Sequence, residues 1–166
     1  MSDLNTATAI VKQTTLKASL PRVWRAISDP SEFGQWFGLR FDRLAFVPGE
    51  TITGAIAATV VDPEVAKRQE PHVGKRFSIR IVALDPMQRF AFQWHPFAID
   101  PDADYDIEPM TTVTFALEEV DDGVRLTLTE TGFELIPEAR RAAAFTANDG
   151  GWTAQMRLIA GWLARG

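Results

Sequence analysis

The sequence predicts an α+β domain in which an antiparallel sheet of six or seven strands curls around a long C-terminal helix, with two short helices after the first strand. Three observations carry this expectation. The stretch from Leu20 to Phe37 reads as two short helices separated by a capped turn. Strand-like runs stand before it and recur after it as far as the hairpin at Asp122-Gly123. From Pro137 to about Ala164 apolar residues return every three or four positions, which is helical spacing.

Taken in order, Ala9 to Ala18 alternates weakly and is rich in Thr and Val, which predicts the first strand. In the first helix Pro21 suits the opening turn, and Leu20, Val23, Trp24 and Ile27 share one face. Asp29 is placed to cap the second helix, with Pro30 at its first position and Glu32 three after the cap, a capping-box arrangement. Leu39 to Phe46 reads as a strand, Pro48-Gly49-Glu50 as a turn, and Thr51 to Val61 as a β-branched strand with Gly54 as a bulge position. Asp62 to Gly74, with two prolines and mixed charges, reads as a loop. Arg76 to Leu84 and Arg89 to His95 alternate clearly, the latter with Phe90, Phe92 and Trp94 on one face. Thr111 to Val120 alternates through Val113, Phe115 and Leu117, and Asp122-Gly123 returns the chain as Val124, Leu126 and Leu128. The terminal helix carries the stripe Phe145, Asn148, Trp152, Met156, Ile159 and Leu163. Gly150-Gly151 within it marks either a bend or a close approach to the sheet, and Glu138 to Ala147 reads equally as a separate helix.

Size and composition exclude several classes of function. At 166 residues the chain suits one domain, residues 1–166. Hydrophobic content of 46% and charged content of 23% are those of an ordinary globular protein. A net charge of −5 and dispersed basic residues give no counterion-releasing face, so nucleic acid is not expected as a partner. The absence of cysteine excludes disulfides, thiolate metal sites and cysteine nucleophiles. No apolar run approaches the roughly 20 residues of a bilayer crossing, so membrane insertion is not expected. The first residues show no signal-peptide pattern, and a cytoplasmic location is the expectation.

Chemistry-bearing residues are few. His72 lies in a charged segment and His95 at a strand end before Pro96; neither has a nameable partner carboxylate. The run Asp100-Pro-Asp-Ala-Asp-Tyr-Asp-Ile-Glu108 alternates carboxylates, but an EF-hand counted from Asp100 needs glycine where Tyr105 stands and glutamate where Thr111 stands. No zinc spacing, phosphate-binding glycine loop or nucleophile elbow is present, so neither a metal nor a cofactor is expected, and no catalytic residue is named. Glu130 stands out because it continues the register of Val124, Leu126 and Leu128. Unbroken alternation points it inward, whereas a bulge near Gly132 turns it outward. Asn148 lies in the apolar stripe of the last helix, where its amide could donate to a ligand.

The stretches Ser19-Leu-Pro-Arg-Val-Trp-Arg-Ala-Ile-Ser-Asp-Pro-Ser-Glu-Phe-Gly-Gln-Trp-Phe37, Pro48-Gly49, Leu126-Thr-Leu-Thr-Glu-Thr-Gly-Phe133 and Gly151-Trp152 with Leu158 and Leu163 carry a resemblance. The chain resembles the START-like (SRPBCC) superfamily and, within it, the heat-shock chaperone ATPase activator homologue family. The resemblance covers nearly the whole chain and implies the helix-grip fold. It also implies a space between sheet and helix that holds a small apolar or amphipathic molecule. Trp36, Trp94, Tyr105, Phe115, Trp152 and Met156 would supply contact area, and Glu130 and Asn148 would orient a polar end. The same aromatic set is what a solidly packed core contains. Two other implied roles are a cyclase or dehydratase acting on a polyketide-like substrate through Glu130 or His95, and a chaperone-contacting interaction module. A homodimer is compatible with so small a domain.

Overall fold

The computed structural model describes residues 9–96 and 105–165. Seven antiparallel strands form one curved sheet: β1 (Ala9–Leu16), β2 (Leu39–Phe41), β3 (Thr51–Ile56), β4 (Arg76–Asp85), β5 (Arg89–Trp94), β6 (Thr111–Val120) and β7 (Gly123–Thr131). Their spatial order is β1-β7-β6-β5-β4-β3-β2, so the chain meanders from β2 to β7 while β1 pairs back onto β7. Helices α1 (Leu20–Ser28) and α2 (Pro30–Phe37) therefore carry the chain from one edge of the sheet to the other. Helix α4 (Glu138–Ala164) packs against β1, α1 and α2. Among the described residues no helix is long and apolar enough to cross a membrane.

Local signals explain the paired helices. Ser19 caps α1 by accepting from the Arg22 N–H, and Asp29 caps α2 by accepting from the Ser31 N–H at 2.9 Å. Glu32 does not close the expected capping box. Its carboxylate accepts from Arg22 at 2.8 Å, Arg25 at 2.6 Å and the Trp162 indole N–H at 2.8 Å. Two guanidinium groups and a helix from the far end of the chain outcompete one backbone N–H for it. Carbonyl groups at the end of α2 are met by side chains: Thr59 donates to Trp36 O, while Gln69 and Gln155 both donate to Phe37 O.

Several elements differ from the sequence expectation. The second strand stops at Phe41 rather than Phe46, because Phe46 leaves the strand to stack on Phe90 at 4.7 Å. The third ends at Ile56, after which Thr59 turns back to α2. The expected loop after Asp62 contains a helix, α3 (Pro63–Gln69), followed by a 3-10 turn at Glu70–His72. Asp62 caps α3 through Glu64 N and Val65 N, the same Asp-Pro device that opens α2. Gly54 is no bulge; the irregularity lies between Ile81 and Ala83. A Cβ on Gly54 would sit 2.3 Å from the Arg40 carbonyl oxygen, so glycine lets β2 and β3 approach. Helix α4 runs unbroken through Gly150-Gly151, and a Cβ at either would meet nothing within 4 Å. Neither a break nor a close approach explains that pair.

The core lies between sheet and helices. Phe33, Trp36, Phe90, Phe92 and Phe115 are wholly buried there. Phe33 alone has six aromatic neighbours besides Trp36 at 4.9 Å: Phe37, Phe41, Phe46, Phe90, Phe92 and Phe115, with centroids 5.0–6.5 Å away. Offset and edge-on pairs of this kind add to the transfer free energy of the rings themselves. These rings pack together in the middle of the interior.

Candidate functional site

Regular pairing fixes the orientation of Glu130. It faces Ile10 on β1 and Val113 on β6 without a register shift, so it points inward with the rest of its face and is 0% exposed. Of the two orientations open from the sequence, the structure takes the inward one. The bulge near Gly132 that would have turned Glu130 outward does not form within β7, which pairs regularly as far as Thr131.

Four side chains close around this carboxylate. Trp94 Nε1 donates to Oε2 at 2.8 Å and Thr111 Oγ1 to Oε2 at 2.6 Å, while Trp152 Nε1 donates to Oε1 at 2.8 Å. Asn148 Nδ2 lies 3.0 Å from both oxygens. Trp94 ends β5, Thr111 begins β6, and Asn148 and Trp152 stand one turn apart on α4. One carboxylate therefore ties three strands to the helix. All its partners are neutral donors, and no cation among the described residues pairs with it. The nearby cations are engaged elsewhere: Lys12 with Asp149 at 2.9 Å and Arg140 with Glu108 at 2.8 Å.

Around this centre the rings form a box. Trp94 stacks on Trp152 at 5.6 Å, and Phe37 meets Trp152 at 5.7 Å and Trp94 at 6.3 Å. Phe115 lies 5.9 Å from Trp152 and 6.4 Å from Trp36, which links the box to the packed core. Trp36 itself is wholly inside that core, with Nε1 donating to Ala26 O at 2.9 Å. Met156 follows Trp152 by one turn and is 8% exposed. Trp94 and Asn148 are half-buried, so the cage reaches toward the surface through these two. Asn148 Oδ1 accepts no hydrogen bond from the described residues.

Tyr105 is not part of the box. Its ring lies 6.1 Å from that of His95 and 5.1 Å beneath the Arg140 guanidinium. Arg140 also pairs with Glu108 and donates to Pro96 O at 2.9 Å, fastening both ends of the β5–β6 connection to the start of α4. Residues 100–104 of the acidic run lie outside the described residues. Among those described, no three His, Asp or Glu side chains stand together as metal ligands would.

Sequence reasoning missed Thr111, Phe37 and the groove beside β2. Thr111 had a signal, since a polar residue continues inward the register of Val113 and Phe115. The groove is open, encloses about 380 Å³, and is bordered by Gly34, Leu39, Phe41 and Leu44 with Arg40 and Arg43 on its rim. None of the ligand-contact residues expected from the sequence lines it.

Comparison with known proteins agrees with the architecture. No curated protein matches the chain in sequence. A solution structure of an Arthrobacter aurescens protein is similar with a TM-score of 0.71 at 17% identity, over 97% of this chain and 88% of that one. A crystal structure of a Mesorhizobium loti protein gives 0.68 at 19% identity, over 95% and 97%. A protein described as putative in the dynemicin biosynthetic locus gives 0.65 at 18% identity, over 95% of this chain and 47% of that one. At such identities these likenesses establish the fold. The family model described as "Activator of Hsp90 ATPase homolog 1-like protein" matches residues 17–164. With nearly its whole length matched, and with the strand, paired helices, meander and terminal helix in place, the chain belongs to the Activator of Hsp90 ATPase homolog 1-like family and has its SRPBCC-type fold.

Proposed function

We propose that the protein binds a small amphipathic molecule at the Trp94–Asn148 end of the interior, without transforming it. The observation that carries this reading is the wholly buried Glu130 carboxylate, caged by neutral donors of which Trp94 and Asn148 reach the surface. Burying a charge without a counter-charge is costly, and a glutamine or an apolar residue would fill a purely structural position at lower cost. A charge kept at such a place is better explained by use than by stability.

In this reading Trp94 and Trp152 supply ring faces, with Phe115 and Trp36 as the rigid wall behind them. Met156 adapts its unbranched chain to the guest, and Tyr105 stands outside the box beside His95. Asn148 presents its free Oδ1 to a donor on the ligand, while Glu130 holds Asn148 and both indoles in place. The SRPBCC-type fold, known for ligand-binding and cyclase-like roles, supports the same view. Acid–base catalysis is disfavoured because every Glu130 oxygen is already engaged; a proton transfer there would first require breaking a cage contact.

The test is native mass spectrometry and tryptophan fluorescence against a library of alkyl and aryl amphiphiles. Binding with a change in indole emission, abolished in Trp94→Ala, is the expected result. A library without a binder, or binding indifferent to Trp94, overturns the proposal.

A further inference from the structure

Three features of the box share one electrostatic sign. Glu130 is unneutralised among the described residues, since its partners are two indoles, a hydroxyl and an amide. The indole N–H groups of Trp94 and Trp152 both point at that carboxylate. Trp94, stacked on the buried Trp152 but itself half-buried, keeps part of its ring, with the negative face of the aromatic quadrupole, for anything lying against it. Asn148 turns its amide nitrogen to Glu130 and retains a free acceptor oxygen. A neighbouring molecule thus meets a carboxylate field, the accessible part of the Trp94 ring and a carbonyl, while Lys12 is held by Asp149 and Arg140 by Glu108.

From this we infer that the site selects ligands with a cationic, donor-rich head, such as a primary amine on an aromatic or alkyl body, and rejects the matching carboxylates. The inference rests on the receptor reading above and sharpens it to a ligand class. A cation against the accessible part of the Trp94 ring gains cation–π attraction that strengthens as water is excluded. The same buried charge acts as a repulsive element against anions, and discrimination by repulsion is as effective as discrimination by attraction. At an effective dielectric of about 20, a unit charge near the ligand head separates an amine from a carboxylate by about tenfold or more in affinity. An electroneutral pocket would show no such order.

The experiment compares three naphthalene probes of matched shape by isothermal titration calorimetry: 2-naphthylethylamine, 2-naphthylethanol and 2-naphthylacetate. The expected order is amine over alcohol over carboxylate, with about tenfold or more between the extremes. In Glu130→Gln, which keeps the size and an acceptor oxygen, that ratio should fall toward one while the far-ultraviolet circular dichroism is retained. Should Glu130→Gln fail to fold, the wild-type series still decides. Carboxylate binding as tightly as the amine overturns the charge selectivity and leaves the receptor reading intact. Failure of all three probes and of a parallel decyl series (amine, alcohol, carboxylate) overturns both.

Discussion

Replacing Trp152 by phenylalanine tests whether the Glu130 cage holds the fold together. The substitution removes one N–H donor and part of a ring from a residue 2% exposed, leaving Glu130 Oε1 with Asn148 as its remaining donor. A hydrogen bond to a charged group is worth about 1.5–3 kcal/mol, and on the side of Trp152, itself 2% exposed, solvent is poorly placed to replace it. The lost ring atoms add about 1 kcal/mol of packing. A total near 3 kcal/mol lowers the melting temperature by about 6–12 °C in a domain of this size. Trp94→Phe removes the same kind of bond from a half-buried residue, where solvent can substitute, and should cost about 1 kcal/mol. Thermal unfolding followed by circular dichroism reads both variants and their double mutant. The reasoning is refuted if Trp152→Phe is no more damaging than Trp94→Phe, or if both fall within about 0.5 kcal/mol of wild type.

Other expectations follow from the same geometry. Alanine at Gly150 and Gly151, where a Cβ meets open space in a continuous helix, should stabilise by about 1 kcal/mol each in urea titrations; destabilisation would show that the pair serves a bend the resting structure does not display. Gly54→Ala should destabilise by 2 kcal/mol or more, on the order of an overpacked core, because its Cβ would stand 2.3 Å from a backbone oxygen. For Glu32, burial raises the carboxyl's proton affinity, but hydrogen bonds from Trp162, Arg22 and Arg25 outweigh it and hold the pKa below the ordinary 4.5. The folded state then binds this proton less readily than the unfolded chain, so the stabilisation is full above pH 4.5 and is lost as pH falls through the depressed folded value. Melting curves of wild type and Glu32→Gln should therefore converge on acidification, and a gap unchanged down to pH 3 would contradict this.

Much of the architecture was legible because its signals are local. Alternation in β4 to β7 and the Asp29-Pro30 cap depend only on neighbouring residues. Register alone left Glu130 open between inward and outward, and the inward orientation follows because no bulge intervenes between Val124 and Thr131. What escaped was decided at long range. Glu32 left its capping box for a tryptophan 130 positions away, and Phe46 left its strand for Phe90. Helix α3 buries no residue, so it lacked the apolar period by which helices are recognised. The partners of Glu130 come from three other elements, so their convergence on it could not be read from any one of those segments.

Helix α4 has a further consequence. Its indoles Trp152 and Trp162 each reach a different acid, Glu130 at one end and Glu32 at the other. Each residue of an α-helix advances the azimuth by about 100°, so a single deletion between those tryptophans would swing one of them off its target. The C-terminal half is thus keyed in rotation as well as position. Ahead of Trp152 only Ala144 is buried along the helix. The burial of the helix is thus concentrated in its trailing half, from Trp152 to Leu163.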